Sequence, residues 1–311
     1  MRLGFDVGGT KTDAVVVAPA AGGDEIVARL RRPTGWGPDA VVSTILSLTD
    51  ELAATVGIAA SDFTSIGIGM PGQVAPGSST VTHAVNLGVE ELDLGFVVGA
   101  RLGVPVRAEN DVKAAAVGAY ALHGDDGTVA YLNLGTGIAA GFVRAGRLWR
   151  GAHGTAGEVG HISVDPNGPV CRCGQRGCIE AFSGGGAIAE RWGRPGALPV
   201  RDVFDAADAG DALAVTLRDG LAYGVAAAVR VIVLAGDVDS VLLGGGVAAL
   251  GDRMLGPVVT ELEASAAASP FLRSLRLPER VDLLPPGSPA AALGAAIVGA
   301  ETNEQEAVVH G

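Results

Sequence analysis

The sequence predicts an α/β protein built from two related lobes around a central cleft, and three observations carry that expectation. A strand, glycine turn, strand unit occurs twice, as "RLGFDVGGTKTDAVVVA" near the start and as "TVAYLNLGTGIAAGFVRAGRL" further on. In each copy a polar side chain, Asp6 or Asn133, stands two positions before the glycine that opens the turn. Apolar strands elsewhere alternate with stretches of helical period, the pattern of sheets covered by helices. A length of 311 residues also exceeds what one hydrophobic core comfortably organises.

The elements follow in order. After the first unit, "PDAVVSTILSLTDELAATVG" has helical period, and "TSIGIGM" reads as a buried strand ending in "PGQV". "VPVRAEN" is a strand running into the alanine-rich helix "DVKAAAVGAYAL". Beyond the second unit comes a loop marked by Pro166, Gly168, Pro169 and Gly174. It is followed by the long helix "DALAVTLRDGLAYGVAAAVRVIVL", a strand entering the triplet Gly244–Gly246, and a closing helix in "SPAAALGAAIVGAET". The expected lobe boundary lies near residue 113. The first lobe is then 1–113 completed by the closing helix 289–303, and the second is 114–288 with a metal loop at 161–178.

Composition narrows the classes of function. A formal charge of −12 argues against a nucleic-acid surface, which needs clustered Lys and Arg to displace counterions. The uncharged run 283–300 is broken by prolines and leaves about a dozen helical positions, short of the roughly 20 that span a bilayer. Three cysteines and no export signal argue for a reducing cytoplasm rather than a disulfide scaffold.

Three constellations carry chemistry. In "DVGGTKT", Gly8 and Gly9 let successive N–H groups converge on an anion, and Thr10 and Lys11 add a hydroxyl and a point charge. Asp6 is suited to hold a hydrated Mg2+ beside the terminal phosphates. Alone this could be a plain hairpin turn; its echo at Gly135, Thr136 and Gly137 makes a two-sided phosphate clamp. Gly244 and Gly245 either let a nucleoside lie on backbone or serve tight helix–strand packing. In "AENDVKAAA", Asn110 and Asp111 either cap a helix or act on a substrate, Asp111 accepting a hydroxyl proton and Asn110 orienting a neighbouring hydroxyl; one helix start can do both. Finally, His161, Cys171, Cys173 and Cys178 form a donor set for closed tetrahedral zinc, with three free surface thiols as the alternative. Glu158 and Glu180 flank that loop as candidate sugar-hydroxyl acceptors.

Taken together and in this order, these pieces resemble the ROK family of bacterial sugar kinases and repressors, within the actin-like (ribonuclease H-like) ATPase fold. "DVGGTK" and "LNLGTGIAAG" look like its two phosphate loops, and "VLLGGGVA" its adenosine loop. "GIGMPGQV" with "NLG" resembles the sugar-binding strand and loop and points to Gly72 and Asn86. "GTAGEVGH" matches the Glu-x-Gly-His signature, giving Glu158 and His161, and "CRCGQRGCIE" the zinc motif ending in Glu180. The resemblance implies an ATP-dependent hexokinase, most simply a glucokinase acting at the 6-hydroxyl, with Mg2+ and structural Zn2+ and a homodimeric or homotetrameric assembly. Asp111 is then the base, and Asn110, Glu158, His161 and Glu180 fix the sugar. Val89 stands where the family often has an aromatic residue, which leaves the hexose open among glucose, fructose, mannose, N-acetylglucosamine and N-acetylmannosamine. No DNA-binding helix-turn-helix precedes "LGFDVGGT", and the zinc motif argues against a polyphosphate donor. The rivals from other classes are a sugar-binding sensor without turnover and a chaperone-like or cytoskeletal ATPase.

Overall fold

The computed structural model describes residues 1–21, 23–124 and 127–301. Strands β1 (Arg2–Val7) and β2 (Lys11–Ala20) form the hairpin around the first glycine turn, and β3 (Gly23–Pro33) pairs antiparallel with β2. Helix α1 (Pro38–Val56) opens on a proline, which suits the first helical turn, and stops at Gly57 in the left-handed conformation. There follow β4 (Ile66–Met70), β5 (Gln73–Val74), β6 (Thr80–Ala84), β7 (Val89–Asp93) and the single turn α2 (Ala100–Leu102). Strand β8 (Val106–Asn110) runs directly into α3 (Asp111–His123). The chain continues through β9 (Thr128–Leu134), β10 (Ile138–Arg144), β11 (Arg147–Trp149), α4 (Ile179–Ser183), α5 (Gly185–Trp192), α6 (Pro199–Asp208) and α7 (Ala212–Gly236). Strand β12 (Ser240–Gly244), helices α8 (Asp252–Ala267) and α9 (Pro270–Ser274), strand β13 (Val281–Leu283) and helix α10 (Ala290–Val298) complete it.

Two five-stranded sheets repeat one plan, in the orders β3-β2-β1-β4-β8 and β11-β10-β9-β12-β13. In the first, β1, β4 and β8 are parallel while β2 and β3 are antiparallel additions. In the second, β9, β12 and β13 are parallel and β11 is antiparallel to β10. Strands β5, β6 and β7 make a small antiparallel sheet. The run "IAAGFVRAGRL", expected as one strand, is broken into β10 and β11 at Ala145 and Gly146, both with positive φ.

The described residues of Met1–Asp126, Gly141–Ala156 and Ser288–Gly311 form one compact unit, and those of Gly127–Ala140 and Gly157–Gly287 another. The first unit therefore extends past residue 113 and keeps the whole of α3. The reason is in the side chains. Helix α3 buries Val112 through Ala119 without a break, Lys113 among them, so it must be covered on several sides. Helix α10 covers one of them, and residues 302–303 of the expected closing helix lie outside the described residues.

The first sheet buries both faces through strict alternation. Leu3, Phe5, Val7, Ala14 and Val16 pack with Ile45, Leu48 and Leu52 of α1. Val15 and Val17 point the other way, onto Ala292, Leu293 and Ala296 of α10. Helix α10 lies so close that β-carbons on Gly4 and Gly67 would sit 2.0 and 1.7 Å from carbonyls of Ala292 and Ala295. On its other side, a β-carbon at Gly118 would reach 1.8 Å from Ala290 O, and one at Gly294 1.7 Å from Ala114 O. In the second unit α7 is apolar and long enough to cross a membrane by length and composition, but twelve of its residues are buried within the fold against its neighbouring helices, which marks it as a core helix.

Gly294→Ala should destabilise the protein by about 3 kcal/mol or more, because neither backbone can retreat from the added methyl group. Gly220→Ala, within α7 and with no neighbouring atom nearer than 3.8 Å to the added carbon, should instead stabilise by about 1 kcal/mol. Urea unfolding midpoints of the two variants check both signs.

Candidate functional site

The first glycine turn is built to hold its shape. Gly8 N–H donates to Lys11 O at 3.0 Å, while the buried Thr34 donates its hydroxyl to Gly8 O at 2.7 Å. Thr34 also meets the hydroxyl of Thr12 at 2.9 Å. Thr10 and Lys11 are left exposed at the tip. A β-carbon at position 9 would stand 3.0 Å from Asn86 O, so the turn and Asn86 are neighbours. Gly88, in the same loop as Asn86, has positive φ, and the ring of Trp36 occupies its β-carbon position at 2.6 Å. That indole is 71 % exposed and gives the loop an aromatic surface that the sequence pattern did not flag. Val89 itself is buried in the core.

Asp6, at the end of β1, has its carboxyl pushed up to about 7, first by burial and then by the charges of Asp111 and Asp13, with Lys11 and Arg31 opposing. Asp13 behaves in the opposite way. Burial alone would lift it, but Arg29, at 2.9 and 2.5 Å, and Arg31, at 2.5 Å, outweigh that and hold it below its usual range. The sheet register explains the grouping: Asp6 is paired with Asp13 and Asp13 with Arg31, so the three side chains stand in one row on one face. An acidic pair with only partial compensation suits a divalent cation, and Asp6 and Asp111 fit one.

Asn110 is the N-cap of α3. Its Oδ1 accepts from Val112 N at 3.1 Å and Lys113 N at 3.2 Å, and its Nδ2 donates to Gly72 O at 3.3 Å. Asp111 opens the helix and accepts from Val112 N at 2.9 Å. Gly72 has φ +113, and a β-carbon there would lie 2.5 Å from Thr82 O, so only glycine fits. Asp6, Gly8, Gly9, Thr10, Lys11, Gly72, Asn86, Asn110 and Asp111 thus all belong to the first unit.

The second unit assembles the remaining residues. Gly135 O and Thr136 O accept the N–H groups of Gly185 and Gly186 at 2.9 Å, and Ile138 N donates to Glu180 Oε2 at 2.9 Å. A β-carbon on Gly137 would stand 2.6 Å from that carboxylate oxygen and displace it. Gly157 and Gly160 let the "GEVGH" segment lie flat on β10, where β-carbons would fall 1.8 Å from Ala140 O and 2.1 Å from Ile138 O. Glu158 is left exposed between them. Tight packing accounts for Gly244 and Gly245, which would otherwise strike Tyr131 and Leu134 O; Gly246 faces open space.

The four ligand atoms of His161, Cys171, Cys173 and Cys178 lie within 4.8 Å of one another. Cys173 Sγ is 3.7 Å from Cys178 Sγ, and Cys171 Sγ is 3.9 Å from His161 Nδ1. A tetrahedral ion with metal–sulfur bonds of about 2.3 Å needs ligand edges of about 3.8 Å, so the set fits zinc. The three thiols differ in acidity. The Gln175 backbone N–H pulls the Cys173 thiol down to about 6, while burial pushes Cys178 up to about 12. Without a cation all three could not be thiolates together. Cys178 immediately precedes α4, so the loop hands its rigidity to Glu180 two residues on. A pocket of about 430 Å3 joins these parts, lined by Thr136, Gly137, Cys171, Glu180, Arg172 and Arg191 among others.

Asp6 offers a test by pH. Its carboxyl titrates near 7 when folded against an ordinary 3.8, so the folded protein keeps a proton that the unfolded chain has released. Stability is therefore full below the unfolded value and falls as pH rises through the folded one. Asp6→Asn should gain stability over the wild type at about pH 8 and much less at about pH 4, read from urea midpoints at each pH.

Residues 2–301 match the model of the ROK family. A glucokinase of Halalkalibacterium halodurans is 32 % identical over 285 residues, covering 85 % of this chain and 86 % of that protein. An N-acetylmannosamine kinase of Citrobacter koseri is 34 % identical over 79 % of this chain and 83 % of its own. The crystal structure of a ROK family glucokinase from Streptomyces griseus, in complex with glucose and AMPPNP, superposes with a TM-score of 0.75 at 29 % identity, covering 96 % of this chain and 98 % of that one.

Proposed function

The chain belongs to the ROK family, with its actin-like ATPase fold, and on that premise we propose that it is an ATP-dependent glucokinase making the 6-phosphate of glucose. The observation that carries this is Asp111, a carboxylate at the leading edge of α3 in the same unit as the glycine turn and close enough to Asp6 for their charges to interact. In phosphoryl transfer the attacking hydroxyl becomes acidic as its bond to phosphorus forms, so a carboxylate of ordinary basicity serves as acceptor. Asp111 takes the proton of the 6-hydroxyl. Asn110, whose Oδ1 is committed to the helix cap, turns its amide towards a neighbouring hydroxyl, with Gly72 and Asn86 shaping the same wall.

Glu158, Glu180 and His161 hold further hydroxyls. Glu180 has one oxygen engaged by Ile138 N–H and one to offer, and His161 presents Nδ1 to the cysteines, leaving Nε2 for the sugar. The turns at Gly8–Lys11 and Gly135–Gly137 receive the phosphates of ATP, and Gly244 and Gly245 back the nucleoside. Mg2+, when bound at Asp6, neutralises charge on the transferring phosphate. Zn2+, held by His161, Cys171, Cys173 and Cys178, stiffens the loop that leads to Glu180. The enzyme is expected in the cytoplasm as a homodimer or homotetramer acting on hexose and ATP, with no nucleic-acid or membrane partner.

A second reading, N-acetylmannosamine kinase, is favoured by the likeness to the Citrobacter koseri enzyme. A panel of hexoses and N-acetylhexosamines in a coupled ADP assay separates the two. With the preferred sugar, Asp111→Asn should lower kcat by about 1,000-fold or more while ATP affinity is kept. Retention of wild-type turnover would remove the mechanism. Stripping zinc with a chelator, or Cys173→Ser, should raise the sugar KM by roughly 10-fold before nucleotide binding changes, measured by titrating each substrate separately.

A further inference from the structure

Glu109 and Arg150 form a buried ion pair that no step above uses. They are 4 % and 7 % exposed. Arg150 Nε donates to Glu109 Oε2 at 2.7 Å, and Arg150 Nη2 donates to Glu301 Oε2 at 3.1 Å. The other oxygen of Glu109, Oε1, accepts the backbone N–H of Asn110 at 2.9 Å. Asn110 is the cap of α3, and the next residue is Asp111. Lys113, in the first turn of the same helix, is also buried and donates to Gly154 O, four residues after Arg150. The stretch following β11 therefore grips the start of α3 at two points.

A buried ion pair is poor evidence for stability, since an apolar pair of similar volume often does as well or better. An apolar pair could not, however, hold the Asn110 N–H. A lone glutamate could hold it only loosely, because its carboxylate would be free to rotate. The planar guanidinium fixes that rotation from one side, and is itself fixed by Glu301 from the other. The chain Glu301–Arg150–Glu109–Asn110 thus ends on the N–H of Asn110, the residue immediately before Asp111.

We propose that Arg150, acting through Glu109, is a positioning residue for Asp111: the pair locks the strand-to-helix turn at Asn110 and so aims the carboxylate. The inference rests on Asp111 being the base. Neither Glu109 nor Arg150 touches substrate, and their effect belongs to kcat. A misplacement of about 1 Å at a reacting group costs about 100-fold in rate, so a small rotation of this turn is enough.

Two double variants isolate the effect. Glu109→Ala/Arg150→Met and Glu109→Gln/Arg150→Met both remove the buried charges, but only the second keeps an acceptor for Asn110 N–H. Both are assayed as full-length protein of verified fold, with kcat and both KM values. The alanine variant should lose about 100-fold in kcat, with the KM for ATP within about 3-fold of wild type; the glutamine variant, which keeps the acceptor but not the hold of Arg150 upon it, should fall between at about 10-fold, and wild-type kcat there would overturn the part assigned to Arg150. Equal kcat in the two would overturn the proposal and leave the pair a structural element. Should neither fold, Glu301→Gln loosens Arg150 from a partly exposed position, and an unchanged kcat there is equally fatal. Asp111→Asn separates the two levels. If it is inactive while Glu109→Ala/Arg150→Met turns over normally, only the positioning role falls; if Asp111→Asn is fully active, both fall.

Discussion

Helix α10 has no room for a side chain where it crosses the first sheet and α3, and this close approach determines where the acidic groups stand. Gly4 and Gly67 on the sheet, Gly118 on α3 and Gly294 on α10 are all places where a β-carbon would meet backbone at 2.0 Å or less. Three layers are thereby pressed to the smallest separation that a polypeptide allows. Helix α3 inherits its position from that stack: a β-carbon at Gly69 would touch Ala114 Cβ at 3.1 Å and lie 3.7 Å from Asp111 Cα. The first residue of α3 thus sits against the end of β4, which is paired with β1 at Asp6.

The electrostatics follow from this packing. Register puts Asp6 and Asp13 side by side, and the stack brings Asp111 near them, so three carboxylates share one edge of a buried sheet. The sheet answers the charge unevenly. Asp13 receives two arginines and is held ionised, whereas Asp6 receives none at hydrogen-bonding distance among the described contacts and rises to about 7. Such unequal treatment of neighbouring carboxylates is common at functional sites, where a strained charge awaits a ligand that relieves it. In the second unit, too, like groups are driven apart in acidity, Cys173 downward by the Gln175 N–H and Cys178 upward by burial.

Local chemistry was legible in the sequence, and long-range pairing was not. Both glycine hairpins, the Asn110 cap and the His161–cysteine set could be read because their residues lie close together and their geometry demands those residue types. Thr34, which buttresses Gly8, and the Arg29–Asp13–Arg31 group carry no local signature, since only strand register brings them together. The same holds for Arg150 and Glu109, 41 positions apart. The unit boundary was misplaced for a related reason. Asp111 opens a helix, and a helix start after a strand looks like a new beginning, whereas the alanine face of α3 belongs to α10 at the far end of the chain. Gly244 and Gly245 had two readings in sequence; their contacts with Tyr131 and Leu134 O supply the packing one and leave the nucleoside role proposed above in place.

The claim on which the account turns is that packing holds the partly buried Asp6 carboxyl beside Asp111 where water solvates it poorly. The direct measurement is an NMR titration of carboxyl carbons in protein labelled at aspartate, with Asp6 assigned by its Asn variant, in the wild type and in Asp111→Asn. Asp6 should titrate near 7 in the wild type and lower, though still above 3.8, once Asp111 is neutral, because burial remains the larger cause. An Asp6 that titrates near 3.8 in the wild type, or that is indifferent to residue 111, would contradict the account.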